Sequence, residues 1–378
     1  MDYYIDYSFN SINKFGEELC GDNVEVIKTD DGLILVLADG LGSGVKANIL
    51  ATLTSKIAVT MLKEGLSIEE TLDTIMHTLP VCQKRQLAYS TFTIIDVKET
   101  GDVYMIEYEN PSSFYYRLGK TFNIIKQEKE INGKKIRESN FKMRMGDFLV
   151  AVSDGVIHAG VGELLNLGWQ WENVNDFLED YVRLNKSASD VSESLVDVCK
   201  NLYNGRAGDD TTVCAITFKE KVYTDLFIGP PKNPKDDSKF LDNFKKSKGY
   251  RILSGGTTAN IIAREIKEEI IVDLENYVND LPPMAKLKRV DLVTEGLLTL
   301  NRVVDMLKKN TEIKNCPASK IIEIFRKSTN IKIYLGKAIN VAHQNPFLPE
   351  EFNLKAKVIY ELKILLEKLG KIVEIEEV

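Results

Sequence analysis

The sequence LILVLADGLGSG, at residues 33–44, contains the feature on which the fold prediction depends. Its first six residues are all apolar, which is typical of a buried strand. Asp39 ends this strand, and two of the four residues that follow it are glycines, so its carboxylate and the next backbone carbonyls are exposed together. Asp-Gly alone is common in turns. Its place at the end of a buried strand makes Asp39 a candidate ligand as well.

Three further acidic stretches lie in the first 210 residues, and two of them adjoin apolar runs at 148–152 and 212–218. Several carboxylates around one point stay ionised together only if a cation lies between them. Hard divalent ions such as Mg²⁺ or Mn²⁺ accept such an oxygen-rich shell. The four stretches together therefore indicate a metal enzyme. The other three are Gly21-Asp22-Asn23, Ser153-Asp154-Gly155 and Gly208-Asp209-Asp210-Thr211-Thr212.

The order of these motifs carries a family resemblance. Gly-Asp, then Asp-Gly-x-Gly-x-Gly, then Ser-Asp-Gly, then Gly-Asp-Asp-x-Thr resembles the metal-dependent protein phosphatases of the 2C type. More narrowly, it is similar to the bacterial branch typified by the stage II sporulation protein E phosphatase. The resemblance covers roughly residues 8–218. It implies an α–β–β–α sandwich and hydrolysis of phosphoserine or phosphothreonine on a regulatory protein.

The resemblance also implies roles for individual residues. Asp39 would bridge two Mn²⁺ or Mg²⁺ ions, and the Gly40 carbonyl would bind the second ion. Asp154 and Asp209 would complete the first ion's ligands, and Asp22 would support the second directly or through water. The implied reaction is an in-line attack of hydroxide, held between the metals, on a phosphoester.

The sequence departs from the eukaryotic 2C pattern at two positions. Leu41 stands where that branch has a histidine, so a metal-bound water or Asp22 would have to protonate the leaving group. Asp210 stands where that branch prefers asparagine, and both a turn role and a metal contact remain open for it. The three histidines are isolated and predict ordinary packed or surface residues; they are His77, His158 and His343.

Lys46 and Arg206 are the basic residues nearest to the acidic motifs. A cation that grips the substrate phosphate is chemically sensible at either position. Solvated surface charge is the alternative for both.

Composition excludes some classes of partner. The net charge of −7 gives no positive field for nucleic acid or an anionic membrane, and no apolar run approaches the ~20 residues that span a bilayer. The five cysteines are an odd number without a CxxC pair, and the first residues are polar and acidic, unlike a signal peptide. We expect a cytoplasmic protein, with homodimerisation left open.

The pattern of elements predicts an α+β fold with two domains, at residues 1–220 and 221–378. In the first domain, strands are expected at residues 24–28, 33–38, 89–97, 103–109, 113–117, 122–126 and 148–152. Helices are expected at 45–64, at 67–79 with a Ser67/Glu70 capping box, at 174–184, and at 191–203 capped by Ser189. The second domain alternates strands and helices, which predicts a smaller α/β domain that acts as a sensor or docking module.

One loop of the second domain is a candidate ligand site. Residues 253–260 join a strand to a helix, and free amides at such a helix start suit an anion. The loop is neither a Walker P-loop nor GxGxxG. We expect a small anionic ligand here, with Glu295 or His343 nearby; a tight packing turn is the alternative. The loop residues concerned are Gly255, Gly256, Thr257 and Thr258.

Two alternatives to a protein phosphatase remain at this point. The chain could be a catalytically silent binding protein that keeps the fold, although all four acidic motifs are intact. It could also be a ligand sensor in which the second domain holds a small molecule and the first reports its occupancy.

Overall fold

The computed structural model describes residues 3–78, 90–131, 133–184, 187–273, 281–309, 311, 316–338 and 350–378. The chain divides into two compact units, Met1–Glu220 and Lys221–Val378.

The N-terminal unit contains five helices and eleven strands within the described residues. The helices are α1 (Gly44–Lys63), α2 (Ile68–Thr78), α3 (Asp154–Ile157), α4 (Trp171–Val182) and α5 (Ala188–Leu202). The strands are β1 (Tyr4–Ile12), β2 (Asp22–Lys28), β3 (Gly32–Gly40), β4 (Ser90–Lys98), β5 (Asp102–Tyr108), β6 (Phe114–Arg117), β7 (Lys120–Thr121), β8 (Gln127–Ile131), β9 (Lys134–Lys142), β10 (Phe148–Val152) and β11 (Thr211–Lys219).

These strands form two antiparallel sheets. One has the order β1-β11-β10-β6-β7, and the other has the order β2-β3-β4-β5-β9-β8. Sequence neighbours often pair, as in the β2–β3 hairpin, whereas β11 comes last in the unit and inserts between β1 and β10.

Strand β3 shows why the unit has four layers. Side chains alternate across a strand. Leu33, Leu35 and Leu37 therefore face the inter-sheet core, which also contains Leu149 of β10 and Ile216 of β11. The opposite face of β3 packs with residues of α1 and α2. The outer faces of β10 and β11 pack with residues of α4 and α5. The predicted α–β–β–α sandwich is confirmed.

Helix α1 is the one described helix that is long and apolar enough to cross a membrane by length and composition. Its buried face includes Ala47, Leu50 and Ala51, and the last two belong to the core beside β3. This packing is that of a covering helix in a sandwich.

Two local predictions differ from the structure. Residues 122–126 form no strand; β8 begins at Gln127 instead. Helix α5 begins earlier than predicted, because Ser187 and not Ser189 is its cap. The Ser187 hydroxyl accepts from the Asp190 amide at 3.1 Å, whereas the Ser189 hydroxyl donates to Glu193. The predicted Ser67/Glu70 capping box is present.

The C-terminal unit is an α/β domain, as predicted. Its described helices are α6 (Asp237–Lys246), α7 (Gly256–Ile266), α8 (Leu297–Lys309), α9 (Pro317–Lys327) and α10 (Glu350–Lys368). Its described strands are β12 (Tyr223–Ile228), β13 (Tyr250–Ser254), β14 (Ile271–Val272), β15 (Ala285–Leu287), β16 (Val290–Thr294), β17 (Asn330–Leu335) and β18 (Ile372–Glu377).

The sheet of this unit has the order β14-β15-β16-β13-β12-β17-β18. The five strands from β16 to β18 in this order run parallel, and β14 and β15 form an antiparallel edge. Strand order reverses at β12, so the sheet is doubly wound. Helices α8, α9 and α10 contribute to the core on one face, and α6 and α7 contribute to the core on the other.

Candidate metal centre

The hairpin of β2 and β3 places two of the predicted ligands side by side. Asp22 is the first residue of β2 and pairs directly with Asp39 near the end of β3. Directly opposed residues in an antiparallel pair have Cβ atoms about 4.5–5.5 Å apart. The Gly40 amide donates to the Gly21 carbonyl at 3.1 Å and fixes this end of the hairpin.

The other two predicted ligands lie at the ends of β10 and β11, which are neighbours in the sheet β1-β11-β10-β6-β7. Asp154 follows β10 and begins α3, and Asp209 lies two residues before β11. The Ser153 amide donates to the Thr212 carbonyl at 3.0 Å, and the Thr212 amide donates to the Ser153 hydroxyl at 2.8 Å. These bonds hold the end of β10 against the start of β11, so that Asp154 and Asp209 lie at the same edge.

Glycines let these segments approach closely. A Cβ on Gly155 would lie 2.1 Å from the Asp210 carbonyl oxygen, so only glycine fits beside that backbone. A Cβ on Gly40 would lie 2.0 Å from the Ala47 carbonyl oxygen in α1. The start of α1 is therefore seated directly on the loop that follows Asp39.

We expect Gly40→Ala to lower the free energy of unfolding by about 3 kcal/mol, because the new methyl group would displace the backbone of α1. Gly208→Ala is the matched control, since its Cβ would meet the Tyr203 ring at an ordinary 3.4 Å. Urea denaturation of both variants checks this expectation. Equal stability of the two would show that the Gly40–Ala47 approach is not a constraint.

Asp22 is the most unusual carboxylate of the site. It is 4% exposed, and neither of its oxygens has a hydrogen-bond partner among the described residues. The nearby Thr212 hydroxyl donates to Ser11 instead. Burial raises the pKa of Asp22 to about 7, with the charges of Asp210 and Asp154 adding to the effect and the Thr212 and Ser153 hydroxyls opposing it. Among the described residues, no hydrogen bond compensates the burial of the Asp22 carboxylate.

The same electrostatics extend across the cluster. Burial raises the pKa of Asp39 to about 9, and the neighbouring charges of Asp22, Asp154, Asp209 and Asp210 raise it further. Burial and Asp209 also raise the pKa of Asp154. The structure thus brings together all four predicted carboxylates, and their mutual repulsion is what a bound divalent cation would relieve.

The carboxylate side chains of this site are not arranged as a complete set of metal ligands. Within the described part of the chain, no three Asp, Glu, His or Cys side chains are arranged so that they could hold an ion as they stand. Metal binding at this site therefore requires the carboxylates to draw together. The unpartnered oxygens of Asp22 and the all-oxygen donor set fit a hard divalent ion.

Lys14 is a site residue that the sequence reasoning missed. Its amide donates to Asp210 Oδ1 at 3.0 Å, and its ammonium lies 3.7 Å from Asp209 Oδ1. Asp210 is buried, and its hydrogen bond with the Lys14 amide joins the loop before β2 to the start of β11. No motif surrounds Lys14, so only the pairing of distant strands reveals it.

A family assignment follows from the sequence of this unit. The model of the family described as Stage II sporulation protein E (SpoIIE) matches residues 29–219, just over half of the 378 residues. The chain belongs to this family. No curated protein matches the chain significantly.

Solved structures of several phosphatases are similar to this SpoIIE family chain. The PP2C phosphatase domain of SpoIIE from Bacillus subtilis, with a fragment of its regulatory domain, is 17% identical over 58% of this chain, with a TM-score of 0.49. The chain covers 63% of that structure's length. RsbX in complex with magnesium is 18% identical, with coverage of 58% and 97% and a TM-score of 0.43. The S. agalactiae serine/threonine phosphatase is 13% identical, with coverage of 57% and 100% and a TM-score of 0.42.

The two candidate phosphate-binding cations of this SpoIIE family chain differ in setting. Lys46 is exposed on the first turn of α1. Arg206 is also exposed, and its guanidinium carbon lies 5.5 Å from the centre of the Phe15 ring. Neither side chain lies among the carboxylates, and both are exposed surface charges in this structure.

Two further positions bear on the reaction. Leu41 is 39% exposed beside the site, and it can neither donate nor accept a proton. The His158 amide donates to the Asp154 carbonyl at 3.0 Å, and the charge of the His158 ring lowers the pKa of Asp154, against the dominant effect of burial. His158, four residues after Asp154 in the sequence, therefore lies beside the site.

Proposed function

We propose that the chain is a metal-dependent serine/threonine protein phosphatase whose catalytic domain is residues 1–220. The observation that carries this proposal is the meeting of Asp22, Asp39, Asp154 and Asp209, with both oxygens of Asp22 buried and unpartnered. Membership of the SpoIIE family supports the same activity.

In this proposal the carboxylates would draw together around two Mn²⁺ or Mg²⁺ ions. Asp39, whose pKa responds to the charges of four other carboxylates, would contact both ions, with Gly40 contributing its carbonyl. Asp154 and Asp209 would hold one ion, and Asp22 would support the other. When bound at these residues, such ions would supply an activated water and would neutralise charge on the phosphoryl oxygens.

The protein's own groups prepare the site for that chemistry. The inter-strand bonds between Ser153 and Thr212 fix the separation of Asp154 and Asp209. The close packing of Gly40 on Ala47 fixes the loop after Asp39. Lys14 lies next to Asp209 and limits the net negative charge at this side of the site. A substrate phosphate would meet the exposed cations Lys46 and Arg206 at the surface.

We propose a phosphorylated regulatory protein as substrate, acted on in the cytoplasm. The four described cysteines (Cys20, Cys199, Cys214 and Cys316) are free, which agrees with a reducing compartment. Residues 221–378 would serve as a sensor or docking domain, and a homodimer is one form in which the chain could act.

Hydrolysis of phosphopeptides tests the proposal against a silent binding protein. With Mn²⁺ present, the full chain should release phosphate from phosphoserine and phosphothreonine peptides and from p-nitrophenyl phosphate. Phosphopeptide binding without phosphate release would identify a silent binding protein and contradict the proposal.

A further inference from the structure

The C-terminal unit contains a cavity of about 1140 Å³ at the carboxyl ends of β12, β13 and β16. Its wall includes Ile228, Ser254 and Thr294, the last residues of these three strands. In open α/β sheets, ligands bind outside the carboxyl ends of the strands. Residues 342–346, including His343, lie outside the described residues and do not enter the argument.

Two helices begin at one point of this cavity. Gly255 precedes α7 and Gly296 precedes α8, and both glycines have positive φ angles, of 115° and 146°. The Gly255 amide donates to the Thr294 carbonyl at 2.9 Å, and a Cβ on Gly296 would lie 3.4 Å from Gly255 Cα. The positive ends of two helix dipoles therefore converge, which favours an anion.

The first turn of α7 also supplies an unpartnered side chain. Thr258 is fully buried and lines the cavity, and its hydroxyl has no hydrogen-bond partner among the described residues. Leaving a buried hydroxyl unpaired costs about 1–3 kcal/mol. The hydroxyl lies 3.6 Å from where a Cβ on Gly255 would be, so it faces the glycine turn.

A half-buried cation completes the lining. The Lys355 ammonium donates to the Gly336 carbonyl at 2.7 Å and to the Ala338 carbonyl at 3.3 Å. An ammonium has three donors, so these two bonds leave one for a ligand. Burial lowers the pKa of Lys355, and a nearby anion would oppose that shift.

We propose that this cavity binds a small molecule through a phosphate or diphosphate group, held by the first turn of α7 with Thr258 and Lys355. The alternative is a closed packing turn, in which neighbouring atoms would fill the space around Gly256. Instead, a Cβ on Gly256 would meet no atom within 4 Å. The amides of Gly256, Thr257 and Thr258 lie in the first turn, where a helix leaves its donors free.

The rest of the cavity suits an organic body. Its volume of about 1140 Å³ is slightly above the range of about 300–1,000 Å³ for small-molecule sites, so an organic ligand has room. Its wall includes the apolar residues Ile270, Val293 and Leu297. Exposed Glu295 also lines it and can accept hydrogen bonds from hydroxyl groups. A mononucleotide has three parts that suit this wall: a phosphate, ribose hydroxyls and a planar base whose faces pack against apolar side chains.

The test is calorimetric titration of the full chain with pyrophosphate and with ADP. EDTA is present throughout, so that phosphate binding at a metal centre in the other unit does not contribute. Gly256→Val places a branched side chain in the open space, and Thr258→Val removes only the hydroxyl. Thr299→Val is the matched control, because Thr299 is equally buried and unpartnered but does not line the cavity.

We expect pyrophosphate to bind the unaltered chain and ADP to bind more tightly. Thr258→Val should weaken binding about fivefold, as for one lost hydrogen bond, and Gly256→Val at least about tenfold through steric exclusion. Thr299→Val should bind like the unaltered chain. Both threonine variants should be at least as stable as the original, since each loses an unpaired buried hydroxyl.

Absence of pyrophosphate binding at millimolar concentration would overturn the proposal. Unchanged affinity in Gly256→Val and Thr258→Val would overturn it equally. If ADP bound more weakly than pyrophosphate, the cavity would not accommodate an organic body of this kind.

Discussion

Asp39→Asn and Asp154→Asn should each lower kcat for a phosphoserine peptide by at least ~10²-fold, the scale of losing one preorganised electrostatic stabiliser. The charges of four other carboxylates raise the pKa of Asp39, and Asp154 begins α3 directly after β10 of the other sheet. Each variant removes one negative ligand from the set that would hold the cations. Steady-state kinetics at saturating Mn²⁺ measure the effect.

The two variants should remain folded, because removing a negative charge from a crowded carboxylate cluster relieves repulsion. Thermal unfolding in EDTA checks that the melting temperature does not fall. Asp96→Asn is the matched control: Asp96 is a half-buried carboxylate on β4, beside Lys98 and outside the cluster. Near-native rates in both Asp39→Asn and Asp154→Asn would show that these residues only form turns.

Removal of divalent metal should abolish hydrolysis altogether. The described part of the site supplies carboxylates, and these cannot activate water or neutralise a phosphoryl group without a cation. We expect EDTA to reduce phosphate release to background for both p-nitrophenyl phosphate and the phosphoserine peptide. Excess Mn²⁺ should restore it, and Mg²⁺ is the second ion to compare.

The control for metal removal is structural. Circular dichroism in EDTA should show the same secondary structure as in Mn²⁺, since the sandwich core is apolar and contains no ligand residue. Equal hydrolysis with and without EDTA would exclude the metal-dependent mechanism.

The α–β–β–α layers of the N-terminal unit could be predicted from the order of strands and helices and from the family resemblance, and the burial of β3 could be predicted from its six consecutive apolar residues. A strand of this kind is buried on both faces. In the structure Leu35 packs in the core between the sheets, and Ile34 and Val36 pack in the core with α1 and α2. The acidic motifs could be predicted for a similar local reason, because each aspartate adjoins glycine or a strand end. Which carboxylates come together depends on strand order, and the family resemblance indicated that order.

Other features depend on contacts between distant segments and left no local signal. Lys14 reaches Asp209 only because β1 pairs with β11. Strand β16 has only a weak sequence signal, because its five residues include Asp291 and lie next to a polar turn, yet it lies between β13 and β15. Ser187 and Ser189 are equally good caps by composition, and the reciprocal bonds with Asp190 select Ser187.

Direct measurement of Mn²⁺ binding tests the central claim that these carboxylates form a divalent-metal centre. Equilibrium dialysis of the full chain should show about two bound ions per chain at saturation, and Asp39→Asn should lose at least one of them while Asp96→Asn keeps both. No bound Mn²⁺, or the same binding in Asp39→Asn as in the unaltered chain, would contradict the account.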